Sequence, residues 1–157
     1  FTPSRNAFAF QFAPNALPVI AGNALQVTDL ATDNLIDLST IVPTWSNAGQ
    51  TATWELGAEL PVSEYAVRLS ADGVRNGNTL LDGNRDGAAG DDFVEIVKLT
   101  WEGDLNDDFR VDFQDFLTFS ALFGQTGLEA ERADFDNDGV AGFSDFLLLS
   151  ANFGKTK

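Results

Sequence analysis

Two twelve-residue stretches, 104–115 (DLNDDFRVDFQD) and 134–145 (DFDNDGVAGFSD), carry an oxygen-bearing side chain at positions one, three, five and twelve. Each runs directly into an apolar segment beginning Phe-Leu. Laying 104–127 over 134–157 matches 11 of 24 positions, among them both end carboxylates, the FxDFL stretch and SAxFG. Such a repeat leaves the chain little freedom. Alternate side chains have to converge on one point, and the apolar run has to leave the loop as a helix.

Ca²⁺ is a hard ion that takes six to eight oxygens, and a twelve-residue loop can wrap it in this way. In the first loop the early ligands are Asp104, Asn106 and Asp108, with the carbonyl of Arg110, with Asp112 directly or through water, and with Asp115 closing. The second offers Asp134, Asp136, Asp138, the carbonyl of Val140, a water at Gly142, and Asp145. Position six needs a sharp turn of positive φ, which Gly139 supplies and Phe109 does not. A bulky residue there costs on the order of 1 kcal/mol, so the first site is expected to be weaker or bent. Position twelve is Asp in both loops, one methylene shorter than Glu, which draws the following helix closer to the ion.

The helices are expected over 115–123 and 145–153. Phe116, Leu117, Ser120 and Phe123 form a stripe in the first, and Phe146, Leu147, Ser150 and Phe153 repeat it in the second, the two facing each other. Gly124 and Gly154 stand where helices end. Phe109, Phe113, Phe119, Phe135 and Phe143 add more aromatic surface than two short helices can hide, so some of it has to pack on the rest of the chain or meet a partner.

With 157 residues and 44% hydrophobic content, the chain can build one domain or two small ones. A net charge of -15 opposes nucleic acid and anionic membranes as partners. His and Cys are absent, which removes Ser-His and Cys-His nucleophiles and the usual zinc ligands. Carboxylate-pair hydrolysis is the catalysis that remains, yet the clustered carboxylates are claimed by the loops and no aromatic-lined pair stands out. The chain is expected not to be an enzyme. Lacking Met, it is expected to be a processed piece of a larger protein.

Before residue 102 the period is two. Strands are expected around Phe8, Phe10 and Phe12, ended by Pro14 and Pro18, and at 24–29, with a short edge segment at 35–41. A hairpin of 43–46 and 51–56 is expected to turn at Asn47-Ala48-Gly49 and to bring Trp45 near Trp54. Further strands are expected at 64–70 and 92–101, and short strands between turns point to an all-β sandwich. Inside it, Asp82, Asn84 and Asp86 with Gly87 repeat the first half of the calcium loop, with Asp91 or Asp92 to close it. The competing reading is a Gly- and Asp-rich turn.

The duplicated loops closed by Asp, each followed by one helix, resemble the type I dockerin module, and DFLLLSANFG resembles the version at C-termini of secreted planctomycete-type proteins. FAFQFA, LQVTDLATD and LPVSEYAVRLSADGVRNGN resemble bacterial Ig-like domains of surface proteins. The fold so implied is mainly β with a small α part: an Ig-like β-sandwich at 1–102, then a dockerin-like pair of loop–helix units at 103–157. The resemblance implies a calcium-binding, non-catalytic module of a larger secreted or cell-surface protein, serving assembly or attachment. It implies a cohesin-like partner, met at loop positions ten and eleven, here Phe113-Gln114 and Phe143-Ser144 where cellulosomal members often have Ser-Thr. The alternative is a calcium-stiffened spacer whose helices dock on its own β-domain.

Overall fold

Alternating large and small or polar side chains make the N-terminal part a stack of antiparallel strands, because only one face of each strand needs an apolar neighbour. The computed structural model describes residues 1–13, 16, 18–46 and 50–157. Its backbone divides into two compact units, Phe1–Leu99 and Thr100–Lys157. The boundary lies just ahead of the expected one, because Trp101 packs with the second unit's core instead of extending the last strand.

In the first unit, one four-stranded sheet runs β1 (Thr2–Pro3), β2 (Ala7–Gln11), β7 (Thr51–Glu55), β6 (Thr44–Ser46). A second runs β11 (Phe93–Leu99), β8 (Ser63–Leu69), β4 (Leu25–Asp29), β5 (Asn34–Ile36). A smaller three-stranded sheet is β10 (Thr79–Leu80), β9 (Val74–Asn76), β3 (Val19–Ile20). Register places Phe8 opposite Trp54 and Phe10 opposite Ala52, while Leu25 faces Leu69 and Val27 faces Val67. All eight are buried in one cluster that draws on both four-stranded sheets. Each large apolar side chain so buried contributes roughly 2 kcal/mol.

One expectation needs correction. Trp45 and Trp54 do not pair; Trp45 sits opposite Ala52 and rings with Phe12, whereas Trp54 is buried against Phe10. Strand β11 buries Val97 and Leu99 and leaves Val94 and Ile96 exposed, since period two permits one inward face only. The expected turn at 47–49 and the break at Pro14 lie outside the described residues.

The second unit is two loops and two helices, α1 (Phe113–Leu122) and α2 (Phe143–Asn152). Both helices begin two residues ahead of the expectation, because Asp112 caps α1 by accepting from Gln114 N–H, and Gly142 occupies the matching place before α2. The expected stripe is rotated. Phe119 and Leu149 are buried, Phe116 and Phe146 are half-buried and meet across the helices, but Leu117, Phe123, Leu147 and Phe153 are exposed. The cause is chemical: Asp115 and Asp145 are fully buried to bind backbone N–H groups, and that turns the side chains one helical turn later, Phe119 and Leu149, inward with them. Gly124 and Gly154 follow the helices at φ 80° and 85°, a left-handed exit that suits glycine. No helix among the described residues is long and apolar enough to cross a membrane.

Candidate metal centre

The three acidic loops share one local structure, built from short side chains folding back on their own backbone. In the 134–145 loop, Asp134 accepts from Asp138 N–H at 3.0 Å with one oxygen and from Gly139 N–H at 2.8 Å with the other. Asp136 accepts from Asp138 N–H at 3.1 Å, and Asp138 from Val140 N–H at 2.9 Å. In the 104–115 loop, Asp104 takes Asp108 N–H at 3.2 Å and Phe109 N–H at 2.9 Å, Asn106 takes Asp108 N–H at 3.1 Å, and Asp108 takes Arg110 N–H at 2.9 Å. The stretch from Asp82 repeats this: Asp82 binds the N–H groups of Asp86 and Gly87 at 3.1 and 2.9 Å, Asn84 that of Asp86 at 2.8 Å, and Asp86 that of Ala88 at 2.8 Å.

The backbone agrees. Positions four and six are left-handed in every loop: Arg85 and Gly87, Asp107 and Phe109, Asn137 and Gly139. Phe109 therefore takes the turn at φ 64°, with the same hydrogen bond to the first Asp that Gly139 makes in the second loop. Its donor Asp104 is buried and also accepts a hydrogen bond from the Thr100 hydroxyl. The left-handed residue at position four was not foreseen, although Asp and Asn at 107 and 137 tolerate that conformation better than most side chains.

Oxygens converge accordingly. One carboxylate oxygen from each of Asp134, Asp136 and Asp138 lies within 4.8 Å of the others, and so do oxygens of Asp82, Asp86 and Asp91. Both triads can hold a metal ion. Asn106 gives the first loop an amide oxygen where the second has the Asp136 carboxylate, while Asp112 stands where the second has Gly142, so each donor set counts four carboxylates.

The closing residues behave differently. Asp145 is not part of the 134–138 triad. Its Oδ1 accepts from Phe135 and Asp136 N–H at 2.6 and 3.1 Å, and its Oδ2 from Gly142 N–H at 2.7 Å. Burial pushes its pKa up, but those N–H donors outweigh it and hold the carboxyl below the usual value. Asp115 is tied in the same way to Leu105, Asn106 and Asp112. In both residues Oδ1 accepts two N–H groups and Oδ2 one, so Oδ2 keeps a lone pair beyond what it spends on the backbone. At Gly142 a Cβ would stand 3.6 Å from Val140 O and 3.8 Å from Asp145 Oδ2, so the two donors flank the place that Asp112 fills in the first loop.

In the first unit the structure separates two neighbours. Asp91 joins the triad, accepts from Asn84 Nδ2 at 3.0 Å, and leaves its Oδ2 buried without a hydrogen-bond partner. Asp92 points elsewhere: it accepts from Ala71 N–H at 2.8 Å and pairs with Arg68 at 2.6 Å. The Ala71 N–H, ahead of the Arg68 charge, lowers its pKa. Gly83 at position two lies against the backbone of Asp92 and Phe93, where a Cβ would come within 2.1 Å. That is why this loop has glycine where the others have Leu105 and Phe135.

Oxygen donors alone, with no sulfur or imidazole, suit a hard cation such as Ca²⁺. No family model, curated protein or solved structure matches the chain.

Proposed function

We propose that residues 100–157 are a non-catalytic calcium-binding module of a larger secreted or cell-surface protein, joining it to a protein partner as a dockerin joins a cohesin-like domain. The observation that carries the reading is the hydrogen-bond pattern common to the 104–115 and 134–145 loops, which folds the side chains at positions one, three and five back on the loop's own N–H groups and in the second loop brings three carboxylate oxygens within 4.8 Å of one another. The ligands are Asp104, Asn106, Asp108, Asp112, Asp115 and the Arg110 carbonyl in one site, and Asp134, Asp136, Asp138, Asp145 and the Val140 carbonyl in the other. The first unit, read as an Ig-like sandwich, takes a third ion at Asp82, Asn84, Asp86 and Asp91, where the orphaned Asp91 oxygen supplies a reason for a cation.

The partner surface is the repeated apolar face. Phe113 and Phe143 are 62% and 65% exposed, Leu117 and Leu147 51% and 52%. Extracellular calcium, near millimolar, is enough to fill sites of the strength such outward modules have. The chain should bind at least two calcium ions in a calorimetric titration, and a chelator should lower the unfolding temperature of the 100–157 unit. No heat and no stabilisation at millimolar calcium would refute the reading. If ions bind but Phe113→Ser with Phe143→Ser leaves attachment of the parent protein unchanged, the module is instead a calcium-stiffened spacer.

A further inference from the structure

Each loop of the second unit is gripped by backbone from the other copy. After α1 the chain reaches Thr126, which lies antiparallel to Val140 in the second loop. There Gly124 N–H donates to Ala141 O at 2.8 Å and Ala141 N–H donates to Gln125 O at 3.1 Å. After α2 the first loop is held in the same manner, with Thr156 antiparallel to Arg110. Gly154 N–H donates to Val111 O at 2.8 Å, Val111 N–H to Lys155 O at 3.0 Å, and Lys157 N–H to Phe109 O at 3.0 Å. The Lys157 ammonium also stands over the Phe109 ring, 4.9 Å from its centroid.

In the first loop the gripped residues are positions six to eight, which include the left-handed turn and the carbonyl offered to the ion; in the second they are positions seven and eight, the carbonyl and its neighbour. A bulky side chain at positive φ persists only where its surroundings over-determine the backbone. At Phe109 the tail bonds on one side and Asp104 Oδ2 on the other do so. Moving Phe109 therefore moves a ligand. We propose that the tail 154–157 is a positioning part of the first calcium site, and 124–126 of the second, so that each loop needs the other copy's helix exit in place to bind at full strength. The proposal rests on the calcium reading given above.

Charge makes the test decisive. The tail brings Lys155 and Lys157 close to a cation site, so simple electrostatics says that removing it tightens binding. The grip says the opposite. The full chain and a chain lacking 155–157 are titrated with calcium and followed by amide NMR, reading Phe109 N–H for the first loop and Gly139 N–H for the second. Losing two backbone hydrogen bonds of ordinary net strength should raise the Phe109 midpoint roughly tenfold, with Gly139 changed by less than about threefold. Alanine at 155, 156 and 157 together keeps the backbone bonds and should leave the Phe109 midpoint within about threefold of the parent. An unchanged or lower Phe109 midpoint after the deletion overturns the proposal. Should the deletion unfold the unit, the intact chain decides: with calcium bound, hydrogen exchange at Val111 and Lys157 should slow together, and open-chain exchange at Lys157 overturns the grip. If neither Phe109 nor Gly139 responds to calcium in the intact chain, the calcium reading itself has failed, and the grip falls with it.

Discussion

At Asp145 one buried carboxylate holds three backbone N–H groups that would otherwise be unpaired, those of Phe135, Asp136 and Gly142. Asp145→Ala should cost the second unit on the order of 3 kcal/mol, because each abandoned donor carries a desolvation penalty. Thermal unfolding of the calcium-free protein measures this without any effect of ligand. Since the folded pKa lies below the ordinary 3.8, Asp145 binds fewer protons folded than unfolded near that value. Its stabilisation is complete above the unfolded value and is lost as pH falls through the lower folded one. Helix signal against pH in calcium-free buffer should show an acid transition below about pH 4 that is shallower in Asp145→Asn. Sequence spacing alone identified Asp115 and Asp145 as loop-closing residues. It did not show that both bind the backbone, because the partners Leu105 and Phe135 contribute N–H groups, which leave no mark in the residue code.

Helices α1 and α2 show how such a residue sets the rotation of an element. Leu147 and Leu149 are two positions apart on α2, yet Leu149 is 1% exposed and Leu147 52%. Leu149→Ala should lower stability by about 3 kcal/mol through lost burial and a cavity, whereas Leu147→Ala should stay within about 0.5 kcal/mol. Denaturant midpoints of the pair would reveal a misplaced face at once. Apolar periodicity could not choose between the faces, since Phe and Leu occupy both and the buried Asp looks like a surface residue. Gly103 gives a second check: at φ 102°, a Cβ there would stand 3.0 Å from Leu149 Cα and 3.2 Å from Val111 Cγ1. Gly103→Ala should therefore destabilise the second unit by roughly 2 kcal/mol. Strands β2, β4 and β8 were legible because alternation names the inward face directly. The pairing of β6 with β7 was legible too, but not the ring contacts of Trp45 and Trp54, which depend on side chains from β2 and the residue after it.

Across the whole chain, a charge of -15 means that bound divalent ions relieve repulsion as well as fill sites. Calcium at a hundred times its dissociation constant should add about 2.7 kcal/mol per site to the unit that binds it. Calorimetric unfolding should resolve the units Phe1–Leu99 and Thr100–Lys157, both shifting upward with calcium. Asp91→Asn should abolish the shift of the first and spare that of the second. The third loop was half legible, as D-x-N-x-D-G; its closure by Asp91 and not Asp92 was settled by the Arg68 and Ala71 contacts, which come from elsewhere in the fold.

The crossed pairing of Thr126 with Val140 and of Thr156 with Arg110 has a hereditary consequence. The two copies look like successive modules in the gene, yet neither half of the unit contains a whole acidic loop together with its backbone support. A genetic exchange with its breakpoint between them would pass on two fragments, each with a loop parted from the backbone that holds it.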